Sequence, residues 1–178
     1  MKVVSALIIM FFLSYSVFVW QFLSKEPSRP ILAIIENDSF PYIPSFVAKF
    51  YLSITNYSIV KETIHGASTY SSLFAAYDVK GFKNNEIIWL SSRFLENGVD
   101  INSRMGSSGY TPLQGAIMIN APELVRYLLK NGADKKILTQ SKSAELCQGL
   151  TSIKFAHCMH SLGKMDFAKV IKVLENEI

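Results

Sequence analysis

The residues with the most obvious chemical reach sit near the end of the chain, where the sequence reads His157-Cys158-Met159-His160, with Cys147 a short way upstream. Imidazoles and thiolates are zinc ligands. His157 and His160, three positions apart, would share one helix face, and Cys147 would supply a third donor. The spacing matches no common zinc motif and no fourth ligand stands nearby, so neither a metal nor a cofactor is expected. A Ser/His/Asp set can be assembled on paper from many serines and three histidines, but nothing in the sequence gathers them. There is no G-x-S-x-G, H-E-x-x-H, C-x-x-C, P-loop or dinucleotide fingerprint. The chain reads as a non-enzyme with no catalytic residues. A small hydrolase at the His157–His160 end is the reading kept against it. Cys147 and Cys158 stay open between a disulfide that staples a local loop in an exported domain and two small buried thiols.

The elements that would position these residues begin with a long apolar run. The chain has 178 residues and is 49% hydrophobic, and part of that excess lies in VVSALIIMFFLSYSVFVWQFL, residues 3–23, which holds no charge. As a helix this run would be about 31 Å long, close to the roughly 30 Å of a bilayer's hydrocarbon core. It exceeds an ordinary signal-peptide apolar region of about 7–15 residues. It is therefore read as an uncleaved transmembrane signal anchor over 1–23 rather than as a cleaved signal, with Trp20 at the far interface. Lys2 at the short N-terminal side keeps that end in the cytoplasm. The expectation is a single pass through the inner (cytoplasmic) membrane, with the C-terminal domain facing the periplasm. The net charge of +4 is scattered and forms no basic stripe with interleaved aromatics, so no nucleic acid is expected as a partner.

Ser24 to Pro30 is polar and carries two prolines, and it reads as a linker over 24–30. From Ile31 onward apolar residues return at spacings of three and four, the period of helices, and no alternating strand of convincing length is seen. Val47, Phe50, Tyr51 and Ile54 form one such stripe, expected to face the rest of the domain. In GYTPLQGAIMINAPELVRYLLKNGAD (109–134), Thr111 suits an N-cap and Pro112 the first helical position. Leu113, Ala116 and Ile117 make a short apolar face. Pro122 opens a second helix with Leu124, Val125, Leu128 and Leu129 inward, and Gly132 suits its left-handed end. Neither helix is stable alone, so each must bury its stripe against a neighbour.

The neighbours are internal copies. FLENGVDIN at 94–102 aligns with LLKNGADKK at 128–136, GLTSIKFA at 149–156 with GYTPLQGA at 109–116, and DFAKVIKVLE at 166–175 with APELVRYLLK at 121–130. The first offset is close to a repeat of about 33 residues. The pattern resembles the ankyrin repeat: Gly109, Thr111, Pro112, Leu113, Ala116, Val125, Leu128, Leu129, Gly132, Ala133 and Asp134 sit at the family's positions. Gln114 replaces the family's His and Ile117 its second Ala, and Gln retains the ability to donate and accept. The resemblance is strong over about 94–136, weaker over 149–175 and poor over 31–90. There, Ser71-Ser72-Leu73-Phe74-Ala75-Ala76 would stand in for the start of a degenerate repeat.

The resemblance implies an all-α, short ankyrin-like solenoid of about three repeats with an N-terminal transmembrane helix. The division expected is 31–93 as a helical N-terminal cap and degenerate repeat, and 94–178 as ankyrin repeats with a C-terminal capping helix. It implies binding of one protein partner through hairpin tips, here Arg104, Met105, Ser107, Ser108 and Tyr110. The stretch 135–148 is longer than stacking needs and is either a second contact loop or a tolerated insertion. Joined to the expected anchor at 3–23, this suggests a bacterial immunity protein that occludes a secreted toxin, of the type VI secretion type, in the periplasm. A scaffold or assembly factor for a membrane or periplasmic enzyme is the alternative.

Overall fold

A computed structural model of the protein describes residues 2–26, 28–36, 43–57, 63–64, 67–104, 108–140, 146–163 and 165–176. The chain runs α1 (Lys2–Ser24), α2 (Ser28–Ile35), α3 (Ser45–Ile54), β1 (Thr63–Ile64), β2 (Ala67–Ser68) and α4 (Thr69–Leu73). It continues as a 3₁₀ turn (Phe74–Ala76), α5 (Asn84–Glu96), α6 (Pro112–Met118), α7 (Pro122–Lys130), α8 (Ser152–Ser161) and α9 (Ala168–Asn176). The strands pair antiparallel, Thr63 opposite Ser68 and Ile64 opposite Ala67. This two-residue ladder is a small departure from the purely helical expectation, since strands so short carry no periodicity to read.

Three helix pairs stack. The inner series is α4 with its 3₁₀ turn, then α6, then α8, and the outer series is α5, α7 and α9. The core follows the stripes: Leu90 and Phe94 of α5, Leu113, Ala116 and Ile117 of α6, Leu124, Val125 and Leu128 of α7, Phe155 of α8, and Val170 and Leu174 of α9 are all buried. Thr111 caps α6 in a reciprocal box. Its hydroxyl accepts the Gln114 N–H at 3.3 Å, and the Gln114 carbonyl oxygen Oε1 accepts the Thr111 N–H at 3.1 Å. Pro112 and Pro122 stand in the first turns of their helices, where no amide partner is required.

The internal repeat is visible in hydrogen bonds. Asn97 and Asn131 each donate a side-chain N–H to a carbonyl one turn back, Arg93 and Tyr127, both at 2.8 Å. Gly98 and Gly132 follow with φ of 83° and 92°, conformations that favour glycine. The Val99 N–H then reaches the Phe94 carbonyl, and the Ala133 N–H the Leu128 carbonyl. Finally the carboxylates of Asp100 and Asp134 each accept an N–H two residues on, from Asn102 and Lys136, at 2.8 Å. The same four-part ending is thus used twice.

The N-terminal region corrects three expectations. Among the described residues no helix is long and apolar enough to cross a membrane. The transmembrane helix over 3–23 is therefore not supported, nor is the inner-membrane placement that rested on it. The reason is visible in α1. Ser5, Ser14, Tyr15, Ser16 and Gln21 interrupt its apolar run, and its second half is packed side-on against α2 and α3. Val19 and Leu23 are buried in the domain's core. Trp20 meets Tyr51 edge-to-face at 5.1 Å, and the Arg29 guanidinium lies 4.3 Å over the Phe22 ring. A helix sheathed by hydrocarbon could not keep these contacts with a charged, folded domain. Second, α2 begins at Ser28, inside the stretch read as linker, because Pro30 falls within the first helical turn, where proline is tolerated. Third, α3 turns Ala48 and Leu52 fully inward and leaves Phe50 and Ile54 largely exposed, with Val47 and Tyr51 half-buried. Its inward face is rotated from the stripe chosen from sequence.

Candidate functional site

The fingers between the helix pairs are held by a small set of polar groups. Gln114 is fully buried, and besides its role in the cap its Nε2 donates to the Ile137 carbonyl at 2.9 Å. This one side chain therefore ties the start of α6 to the finger that follows α7, using both the donor and the acceptor that Gln retains. The Asn102 side-chain oxygen accepts the Asp134 N–H at 2.8 Å, linking one finger to the next. Arg104 spans the same gap, donating to the Gly109 carbonyl at 2.6 Å and to the Leu138 carbonyl at 2.9 Å.

Gln114→Ala would leave the Thr111 N–H and the Ile137 carbonyl without these partners in a buried setting. The expected result is a loss of about 1–3 kcal/mol, read as a lowered urea midpoint. Gln114→His, which keeps a donor, should recover part of it. A loss under about 0.5 kcal/mol would mean that the finger does not depend on this bond.

The stretch 135–140 is pinned at its far side too. Thr139 exchanges backbone bonds with Leu150 and Gly149, each at 2.9 Å. Its hydroxyl donates to the Cys147 carbonyl at 2.7 Å and accepts the Leu150 N–H at 3.1 Å. Cys147 and Cys158 are joined as a disulfide, which resolves the alternative left open by the sequence. The Cys158 sulfur is committed to that bond, so the His157–His160 cluster has no thiolate to offer a metal. Among the described residues no group of His, Cys, Asp and Glu is placed to hold an ion. His160 instead accepts the Phe167 N–H on Nδ1 at 3.2 Å, and His157 lies 3.9 Å from the Glu175 carboxylate. Both serve the junction of α8 and α9.

Pinning from both sides gives 133–140 an alternation the sequence reading overlooked. Ala133 and Thr139 are buried, with Lys135 and Ile137 partly so, while Asp134, Lys136, Leu138 and Gln140 are exposed. Leu138 is 49% exposed and Leu146, beside the disulfide, 82%. Nothing in the residue types of KKILTQ signals it, since polar and apolar residues there come in pairs and do not alternate. Of the tip residues proposed from sequence, Arg104 and Ser108 are partly buried at the finger base. Met105 and Ser107 lie outside the described residues. Tyr110 is only 2% exposed, with its ring 5.7 Å from that of Phe155, so it packs one repeat on the next and offers no face to a partner.

One further polar group joins the stack. Ser91, fully buried on α5, accepts the Tyr127 hydroxyl at 3.0 Å and lies 3.1 Å from that of Tyr70. Burial pushes both phenols up from their ordinary range, opposed by the bond to Ser91. Both stay protonated at neutral pH, and the trio couples α4, α5 and α7 without charge.

The geometry described is that of stacked helix pairs with fingers projecting from one side, and residues 108–140 match the family Ankyrin repeat. The chain carries an ankyrin repeat. It is 49% identical over 47 residues to ankyrin repeat domain-containing protein 40 of Homo sapiens, a stretch covering 26% of this chain and 13% of that protein. The protein of the same name from Mus musculus is 34% identical over 85 residues, 48% of this chain and 23% of its own length. The chain thus spans less than a quarter of the length of either relative. Both are mammalian and lend no support to a bacterial type. An ankyrin repeat indicates a protein-binding module, and nothing in these comparisons indicates catalysis.

Proposed function

We infer that the chain binds a protein through the exposed edge of its second finger. The contact residues are Asp134, Lys136, Leu138 and Gln140, with Leu146 beside them and Arg104 and Ser108 at the base. The carrying observation is that this edge is rigid and bare at once: Gln114, Arg104, Thr139 and the disulfide fix its backbone, while alternate side chains project outward. A preorganised edge loses little entropy on binding. The two leucines supply an apolar anchor, and Asp134 and Lys136 a polar rim.

The finer reading, an immunity-type inhibitor that occludes a toxin, leaned on an anchored, exported domain. The loss of the membrane span removes that support, and the small rigid surface carries only the binding role. A scaffold would use the same edge. The deciding experiment is crosslinked capture of partners by the full-length protein, in parallel with Leu138→Asp/Leu146→Asp. One stoichiometric partner held at least about tenfold more weakly by the variant is expected, since desolvated anchors dominate such interfaces. Blocked activity in the bound partner would mark an inhibitor, and retained activity a scaffold. Equal capture by both proteins would place the binding surface elsewhere.

A further inference from the structure

A second exposed surface lies at the N-terminal end of the stack, on elements that take no part in the finger. Between α1 and α3 runs a groove of about 370 Å³. Phe12 and Trp20 line it from α1, and Phe50 and Ile54 from α3, with no charged residue among the described residues of its walls. The apolar surface extends past the groove on both sides. Leu13 shares a helix face with Trp20, two turns away, and Phe46 shares one with Phe50, one turn away. These six side chains are between 48% and 70% exposed. Side chains of this size present on the order of 800 Å² together at such exposures. A monomer's largest apolar patch is about 300–600 Å², whereas each partner of a stable complex buries about 800 Å².

The first half of α1 narrows the choice of occupant. Ile9, Met10, Phe11, Phe12 and Leu13 are five consecutive residues, so they point around the whole helix, and all are more than half exposed. The chain therefore carries both a bare apolar helix and, beside it, an uncharged groove for one. A two-fold axis lets one patch satisfy its own copy, each subunit giving a helix and receiving one. We propose that the chain forms a symmetric homodimer in which α1 of each copy lies in the α1–α3 groove of the other.

Sedimentation velocity of the full-length protein over a hundredfold concentration range tests this. Three variants run beside it: Phe50→Glu, Phe12→Glu and, as a control away from both the groove and the finger edge, Ile119→Glu at an exposed position after α6. All are checked by circular dichroism for an unchanged helical signal. The expected result is a dimer for the natural chain and Ile119→Glu. Each groove variant should have a dimer dissociation constant raised at least about thirtyfold, the scale of an interface hot spot. A monomeric natural chain overturns the proposal, as does a dimer insensitive to both groove variants or an open-ended series of larger species. Flotation with phosphatidylcholine vesicles by a chain that stays monomeric without them would also overturn it, and would identify a lipid surface as the occupant.

Discussion

Phe94→Ala is expected to lower stability by about 3–5 kcal/mol, the scale of an emptied aromatic site in a packed core. Phe94 is fully buried on α5. Its ring lies 6.1 Å from that of Tyr57 and 6.3 Å from that of Tyr70, while its carbonyl accepts the Val99 N–H that closes the repeat. It therefore joins α3's end, α4 and α5 at the seam between the N-terminal region and the repeats. Truncation removes the transfer energy of the ring and leaves a cavity that rigid helices on three sides cannot close. The three-pair stack is short, and domains of this kind have only about 5–15 kcal/mol in total. At a urea slope of about 2 kcal/mol per molar, the midpoint should fall by roughly 2 M. Leu146→Ala, at a residue 82% exposed, should stay within about 0.5 kcal/mol. Comparable shifts for the two variants would show that Phe94 does not hold this seam. A broadened transition for Phe94→Ala, with the signal of α6–α9 persisting, would show that the N-terminal part unfolds separately.

The repeat was legible because it is written in residue types that have one physical use each. Gly98 and Gly132 recur at positions of positive φ, Asn97 and Asn131 cap the same carbonyl, and Thr111-Pro112 opens α6 as its chemistry requires. Gln114 was legible for a similar reason, since a buried side chain between repeats must both donate and accept. The N-terminal third was not legible. α1 is apolar on nearly every side, so its periodicity does not say which face meets the domain, and the run read as a bilayer span instead docks on α2 and α3. Val47, Phe50, Tyr51 and Ile54 recur at helical spacing, yet the neighbouring stripe of Ala48 and Leu52 is the buried one, with the small Ala48 side chain permitting close approach of a neighbouring helix.

The candidate site divides in the same way. Arg104, expected at the tip, instead bonds across the finger base, and the direction of the Tyr110 ring depends on Phe155 of the next repeat, 45 positions on, which no local pattern encodes. The exposed edge at 134–140 was hidden by its setting. Its alternation is one of burial and not of residue type, since Lys135-Lys136 and Ile137-Leu138 pair like with like, and it matters only because Thr139 and the disulfide hold it straight.

That disulfide gives the second large effect. Cys147→Ala/Cys158→Ala should cost about 3 kcal/mol, the loop-closure entropy released to the unfolded chain when a ring of about a dozen residues is opened. The figure follows from the size of the ring, and the bridge does not act alone on the folded finger: Thr139 accepts or donates four bonds to the Cys147–Leu150 turn, and these survive in the variant. Two consequences can be separated by measurement. The global loss appears in the urea midpoint of the oxidised protein against the variant. The local one appears in hydrogen exchange, where the Gly149 and Leu150 amides should lose protection first while those of α5, in the first helix pair of the stack, change only with global stability. If the midpoint falls but these two amides exchange as before, the bridge acts on the unfolded chain alone and the edge is held by Thr139. If neither changes, the disulfide contributes nothing to the fold, and the rigidity on which the binding edge depends must come wholly from Gln114, Arg104 and Thr139. Binding by the double alanine variant then discriminates further. An edge preorganised by the bridge should lose affinity mainly through a faster dissociation rate, because its contacts are intact but no longer held.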